Sequence, residues 1–200
     1  MINIEAGTID KCKEYVNELL KDDNTGHGFD HVMRVYNNAI QIALFEGMTD
    51  IDLEILCLGA LLHDVDDPKL FDTKDNYNAR KFLDSQKDLN PNKIDKIIEV
   101  INGVSFSKNK DKKPKTTEAA IVQDADRLDA IGAIGIMRAV SYSVTHGKTF
   151  DDVIEHFYYK LLLIKDRLNT NTAKSIAEAR HKLMLDFVNQ YAVERMNMVK

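Results

Sequence analysis

Three short stretches carry side chains able to do chemistry: HGFDHVMRV at 27–35, ALLHDVDDPK at 60–69 and IVQDADRLDAIGAIGI at 121–136. In the second, a run of leucines built like a buried helix ends in His63-Asp64 and two further acids. A carboxylate beside an imidazole at the edge of a core is costly to desolvate unless something neutralises it. A salt bridge, a helix end in solvent or a metal ion would each do so. Acids at a helix C-terminus oppose the macrodipole, so Asp64, Asp66 and Asp67 sit badly there without a cation. Neighbours on a helix point about 100° apart, so His63 and Asp64 reach one ion only if it lies off the helix end, where Pro68 stops the helix.

The other two stretches supply the remaining donors. His27 and His31 are four apart, and Arg34 and Asn38 continue the same edge of a helix. Taken alone, His31 reads as a satisfied core histidine and Arg34 as a surface charge. Asp126 and Asp129 share a face, and their plain reading is an exposed acidic turn paired with Arg127. Taken together, His31, His63, Asp64 and Asp126 make a four-ligand set. Two imidazoles and two carboxylates without thiolate suit Mn²⁺, Fe²⁺, Ni²⁺, Co²⁺ or Mg²⁺ better than a structural zinc.

The elements that must position these groups are helical. Thr8 caps a helix over 8–21 with Ile9, Cys12, Val16 and Leu19 inward. A second helix runs from about His27 to Glu46 and ends at Gly47. Asp50 caps a third, IDLEILCLGALLHD, apolar almost all round and therefore central. In it Gly59 and Ala60 let another helix come close. A short helix follows at 76–86, then one opened by Asn90-Pro91. From Thr117 the chain is helical through IVQDADRLDAIGAIGIMRAV. Gly132 and Gly135, each costing about 1 kcal/mol inside a helix, point to tight packing or a kink. Thr149 opens a helix to about Leu168, and a last helix spans 172–194 with Ile176, Leu183, Phe187 and Tyr191 on one face.

Composition sets the limits. The 200 residues are 44% hydrophobic and 30% charged, with three prolines, nine glycines and no tryptophan, as expected of one all-α globular domain over 1–200. A net charge of −5 speaks against a nucleic-acid polymer, since phosphate contacts need a basic surface. Cys12 and Cys57 fall on apolar helical positions and read as buried thiols of a reducing compartment. With no signal-peptide pattern, and no apolar run of roughly 20 residues to span a membrane, a cytoplasmic protein is expected. The lysines at 108, 110, 112, 113 and 115 form a basic loop, solvated or steering an anion.

His31, His63-Asp64 and Asp126, in the order H…HD…D on successive helices, resemble the signature of the HD-domain metal-dependent phosphohydrolases. The likeness is carried by all three stretches and spans about 25–168, flanked by helices 8–21 and 172–194. DADRLDAIGAIGI resembles the branch of small single-domain bacterial members. The resemblance implies an HD-domain helical bundle with a divalent metal, Mn²⁺ foremost, held by His31, His63, Asp64 and Asp126. Branches with two metals carry extra histidines or acids near the HD pair, and without a second full set here one ion is expected. It implies hydrolysis of a small phosphorylated substrate, above all a nucleotide, at a pyrophosphate or monoester bond by metal-activated water. Asp67 stands where a related branch carries a catalytic glutamate, which makes it the expected water-orienting base. His27, Arg34 and Lys69 fit substrate-phosphate contacts, and Asp129 an orienting role. The expected partners are the small phosphorylated molecule and at most a second copy of the chain. The alternative is a sensor that binds metal and nucleotide without turnover. Such proteins tend to lose a ligand or carry an output module, whereas this chain keeps all four donors.

Overall fold

The structure, a computed structural model, describes residues 6–23, 26–47, 50–105, 109 and 112–197. Among these are nine α-helices, two short 3₁₀ turns and no strand, in agreement with an all-α chain. The helices are α1 (Ala6–Leu20), α2 (Phe29–Phe45), α3 (Leu53–Leu62), α4 (Tyr77–Ser85), α5 (Pro91–Val104), α6 (Thr117–Asp129), α7 (Gly132–Thr145), α8 (Phe150–Tyr159) and α9 (Asn171–Asn197). The chain divides into two compact units, Met1–Asp126 and Arg127–Lys200.

In the first unit α3 is the core element, packed against α1, α2 and α5. Every side chain from Ile55 to Leu62 is buried, as an all-apolar helix requires. A Cβ at Gly59 would lie 2.6 Å from Val100 Cγ1, so this glycine sets how closely α5 can approach. Asp52, not Asp50, caps α3: its carboxylate accepts the amides of Glu54 and Ile55 at 3.1 and 3.3 Å. Both acids precede the apolar run, but Asp52 has the extended backbone a cap needs. The cap also ties neighbouring elements together. Lys93 Nζ of α5 lies 2.9 Å from Asp52 and 2.7 Å from Glu54, and the Asp52 amide donates to Glu118 of α6 at 3.0 Å.

Other boundaries move for local reasons. Thr8 lies inside α1, which already begins at Ala6. His27 precedes α2 instead of opening it, because Gly28 is the extended N-cap residue and the His27 amide is held by Asp23 Oδ2 at 3.0 Å. Gly47, at φ +62, closes α2 as expected. Cys12 and Cys57 are buried free thiols.

In the second unit the helix expected to run on from Thr117 is broken. It stops at Asp129, and α7 starts at Gly132 with φ +78, a conformation open chiefly to glycine. A Cβ at Gly135 would sit 2.3 Å from the Ala130 carbonyl oxygen, so both glycines serve one sharp turn. Asp129 is buried and paired with Arg138 Nη1 at 2.7 Å, and Arg180 Nη1 donates to the Leu128 carbonyl at 2.6 Å. Thr149 caps α8 in a reciprocal box with Asp152, but α8 ends at Tyr159 and 3₁₀ turns at 161–163 and 165–167 follow. On α9 the buried stripe is Ala173, Ala177, Met184 and Val188, while Leu183 is 45% exposed. The most buried row is therefore one residue on from the expected one, while Ile176, Phe187 and Tyr191 of the expected row are half-buried, Phe187 with its ring 5.6 Å from that of the buried Phe157.

Gly135→Ala meets backbone that cannot give way, so its gain in helix propensity is outweighed. A loss of about 1–3 kcal/mol, as for other overpacked sites, is expected as a lowered melting temperature, whereas Gly147→Ala meets no neighbouring atom and is limited to the cost of its φ of +65.

Candidate metal centre

His31 lies in the first turn of α2, His63 is the C-cap residue of α3, Asp64 follows it, and Asp126 is on α6, all within the first unit. Their polar atoms converge. His31 Nε2 is 3.3 Å from His63 Nε2, 3.3 Å from Asp64 Oδ2 and 3.5 Å from Asp126 Oδ1. His63 Nε2 is 3.4 Å from Asp64 Oδ1 and 3.9 Å from Asp126 Oδ1. His31, His63 and Asp126 are close enough to one another to hold an ion, and so are His27, His31 and Asp64, with ligand bonds that would be roughly 2.0–2.2 Å long. The side chains of His31 and His63 are almost wholly buried, whereas that of Asp126 is 24% exposed, which leaves the cluster open on one side.

The donor chemistry fits a cation as well. His63 Nδ1 is 2.8 Å from the Ala60 carbonyl, an acceptor only, so Nδ1 carries a hydrogen and Nε2 is the nitrogen whose lone pair the neutral ring could offer to a cation. A ring held this way by its far nitrogen is the usual form of a metal-ligating histidine. Two imidazole nitrogens 3.3 Å apart, with two carboxylates beside them, ask for a positive charge between them. Burial raises the pKa of Asp64, but the His63 ring and hydrogen bonds from His27 and His31 outweigh it and hold the group well below the usual carboxylate range.

The remaining candidates divide. His27 Nδ1 is 2.9 Å from Asp64 Oδ2, so its ring faces a carboxylate of the cluster. Lys69 Nζ lies 3.5 Å from His27 Nε2. Asp67 is outside the cluster, and its Oδ1 accepts the Lys69 amide at 2.8 Å. Arg34 is half-buried on α2, one turn beyond His31. Of the lysine-rich loop, Lys108 and Lys110 lie outside the described residues. Lys112, Lys113 and Lys115 line, with Arg80 and Gln123, an open cleft of about 520 Å³, and Lys115 pairs with Glu99 at 3.1 Å. His146, the residue just past α7, and His156 of α8 bond locally, to the Tyr142 carbonyl at 2.8 Å and the Tyr159 hydroxyl at 2.6 Å.

Asp66 has a part that its spacing did not suggest. Its Oδ1 accepts the Thr73 hydroxyl at 2.7 Å and the Asn78 amide at 2.9 Å, and its Oδ2 accepts the Ala79 amide at 2.9 Å. It thus caps α4 from a distant point in the chain. Asn76, the residue before that helix, is left-handed and makes no cap bond, a gap visible only once the fold is known.

The model of the HD domain matches residues 28–131 of this chain. The chain belongs to the HD-domain family. By sequence it is 38% identical over 197 residues to the protein YpgQ of Bacillus subtilis, covering 93% of each chain. A crystal structure of YpgQ in complex with ADP superposes with a TM-score of 0.75 at 32% identity, over 95% of this chain and 96% of that one. An HD-superfamily hydrolase from Bacillus thuringiensis superposes with a TM-score of 0.76 at 32% identity, over 96% and 98% of the two chains. The fold is therefore that of HD-superfamily hydrolases, and His31, His63, Asp64 and Asp126 all fall within the matched range. No helix among the described residues is long and apolar enough to cross a membrane.

The acids of the HD-domain loop are separable by experiment. Asp66→Ala strands two amides and a hydroxyl and is expected to cost about 1–3 kcal/mol, seen as a lower melting temperature. Asp67→Ala removes a single exposed bond and should leave the melting temperature almost unchanged.

Proposed function

We propose that this protein is a divalent-metal-dependent phosphohydrolase of small nucleotides, with His31, His63, Asp64 and Asp126 as the metal ligands and Mn²⁺ as the foremost ion. The observation that carries the proposal is the convergence of these four side chains, with the His63 ring fixed to present Nε2. The ADP held by YpgQ supports a nucleotide as the substrate. When bound, a divalent cation supplies Lewis-acid polarisation of a phosphoryl group and acidifies water. Among the ligands, the two carboxylates balance charge and the buried imidazoles exclude water from the inner side. The oxygen of water forms the new bond to phosphorus as the bridging P–O bond breaks, its electron pair leaving on the bridging oxygen of the departing group. Asp67 takes the proton of that water on Oδ2, its Oδ1 being held by the Lys69 amide. Arg34 contributes a fixed positive charge for the phosphates. The lysines of the basic loop act only through a screened field. With a net charge of −5, the enzyme acts on nucleotides and not on nucleic-acid polymers, in the cytoplasm, as one functional domain.

The deciding experiment combines Mn²⁺ titration with phosphate or pyrophosphate release across a nucleotide panel. The intact protein should bind the ion and turn over one or more nucleotides much faster than single- or double-stranded nucleic acid. His63→Ala and Asp64→Ala should lose metal and hydrolysis together, and full metal occupancy by either would refute the ligand set. Metal and nucleotide binding without product would point to the sensor instead.

Asp67→Asn should keep metal and fold while kcat falls by roughly 10²–10⁴, the usual share of an acid–base group. A near-normal kcat in the metal-loaded variant would leave Asp67 with only its bond to Lys69.

A further inference from the structure

The sequence sets His27 and Lys69 among the substrate contacts, but their polar atoms are turned toward Asp64 and toward each other. We propose that His27, held by Lys69, is a positioning residue for Asp64. This role presupposes the metal site proposed above.

Asp64 has two oxygens with different surroundings. Oδ1 faces His63 Nε2 at 3.4 Å, whereas Oδ2 lies 3.3 Å from His31 Nε2 and 2.9 Å from His27 Nδ1. A carboxylate turns readily about its last torsion, whose preference is broad and two-fold. One short bond to Oδ2 therefore decides how both oxygens stand toward the cluster. Lys69 sets the direction of that bond. Its ammonium can only donate, so His27 Nε2 at 3.5 Å accepts and the ring hydrogen belongs on Nδ1, aimed at Asp64. The outcome is a chain of donors, Lys69 to His27 to Asp64.

Both donors of the chain, His27 and Lys69, are anchored through their backbone amides. The His27 amide donates to Asp23 Oδ2 at 3.0 Å. Its ring meets the His31 ring edge-on, 5.7 Å between centroids and 85° between planes. The Lys69 amide donates to Asp67 Oδ1 at 2.8 Å, so the residue proposed as base also fixes the start of the chain. Partners that hydrogen-bond a ligating carboxylate typically govern metal affinity by about 10–100-fold. The same atoms allow a competing arrangement: His27, His31 and Asp64 are close enough to hold an ion of their own. In that case His27 would be a ligand to a second metal.

Calorimetric titration of the full-length protein with Mn²⁺ alone, followed by steady-state kinetics at saturating Mn²⁺, separates the possibilities. The wild type should bind one ion and His63→Ala none. His27→Ala should bind one ion about 10–100-fold more weakly, with KM for the nucleotide unchanged once metal is saturating. His27→Asn, whose amide nitrogen takes the place of Nδ1–H, should recover most of the affinity, whereas His27→Gln, which reaches only the Nε2 position, should not. Lys69→Met should weaken Mn²⁺ in the wild type but add little to His27→Ala. If His27→Ala does not fold, the contrast between the Asn and Gln variants carries the test. Wild-type affinity in His27→Ala or His27→Gln with a raised KM would make His27 a phosphate contact and overturn the proposal. Loss of one of two bound ions in His27→Asn would make it a ligand and overturn it equally. A wild type that binds no divalent ion would sink the metal site itself, whereas binding lost only in His63→Ala would sink the role of His27 alone.

Discussion

A carboxylate with almost no access to water sits at the end of the most apolar helix of the chain, and the first unit is organised around making that tolerable. Asp64 is 8% exposed and His63 9%. Burial alone would drive the proton back onto Asp64. Instead three imidazoles face it, one from the end of its own helix, one from α2 and one from the segment leading into α2. Each of those elements must be held in register for the charges to match. The cap at Asp52, the close contact of Gly59 with Val100 and the tether from Asp52 to Glu118 hold α3 against its neighbours.

Much of this was legible from residue types. An apolar run ending in His-Asp is odd enough to call for a cation, and the identity of α3 as the central helix follows from its having no polar face. The four candidate ligands needed only their order along helices to be grouped. The close approach at Gly59 was likewise readable, because a glycine inside a buried helix costs stability unless another element needs the room.

What was not legible depended on contacts between residues distant in sequence. The spacing of His27 and His31 suggested one helix face, but an extended Gly28 and the bond to Asp23 put His27 on the lead-in. The buried stripe of α9 could not be told from its neighbour one residue away, since both rows carry apolar side chains, Ala177, Met184 and Val188 on one and Ile176, Leu183 and Phe187 on the other. Asp129 looked like part of an exposed acidic turn until the break at Gly132 brought Arg138 back onto it. The bonds of Asp66 to Thr73, Asn78 and Ala79 leave no trace in periodicity at all.

That last feature restricts how the gene can vary. Asp64 belongs to the cluster on one side, and Asp66, two residues later, is bolted to α4 on the other. Val65 between them is buried, with its carbonyl taken by the Asn78 side chain at 2.7 Å. An inserted or deleted residue here would rotate one acid out of place to keep the other. Length changes among descendants of this chain should therefore leave the spacing of these two acids untouched.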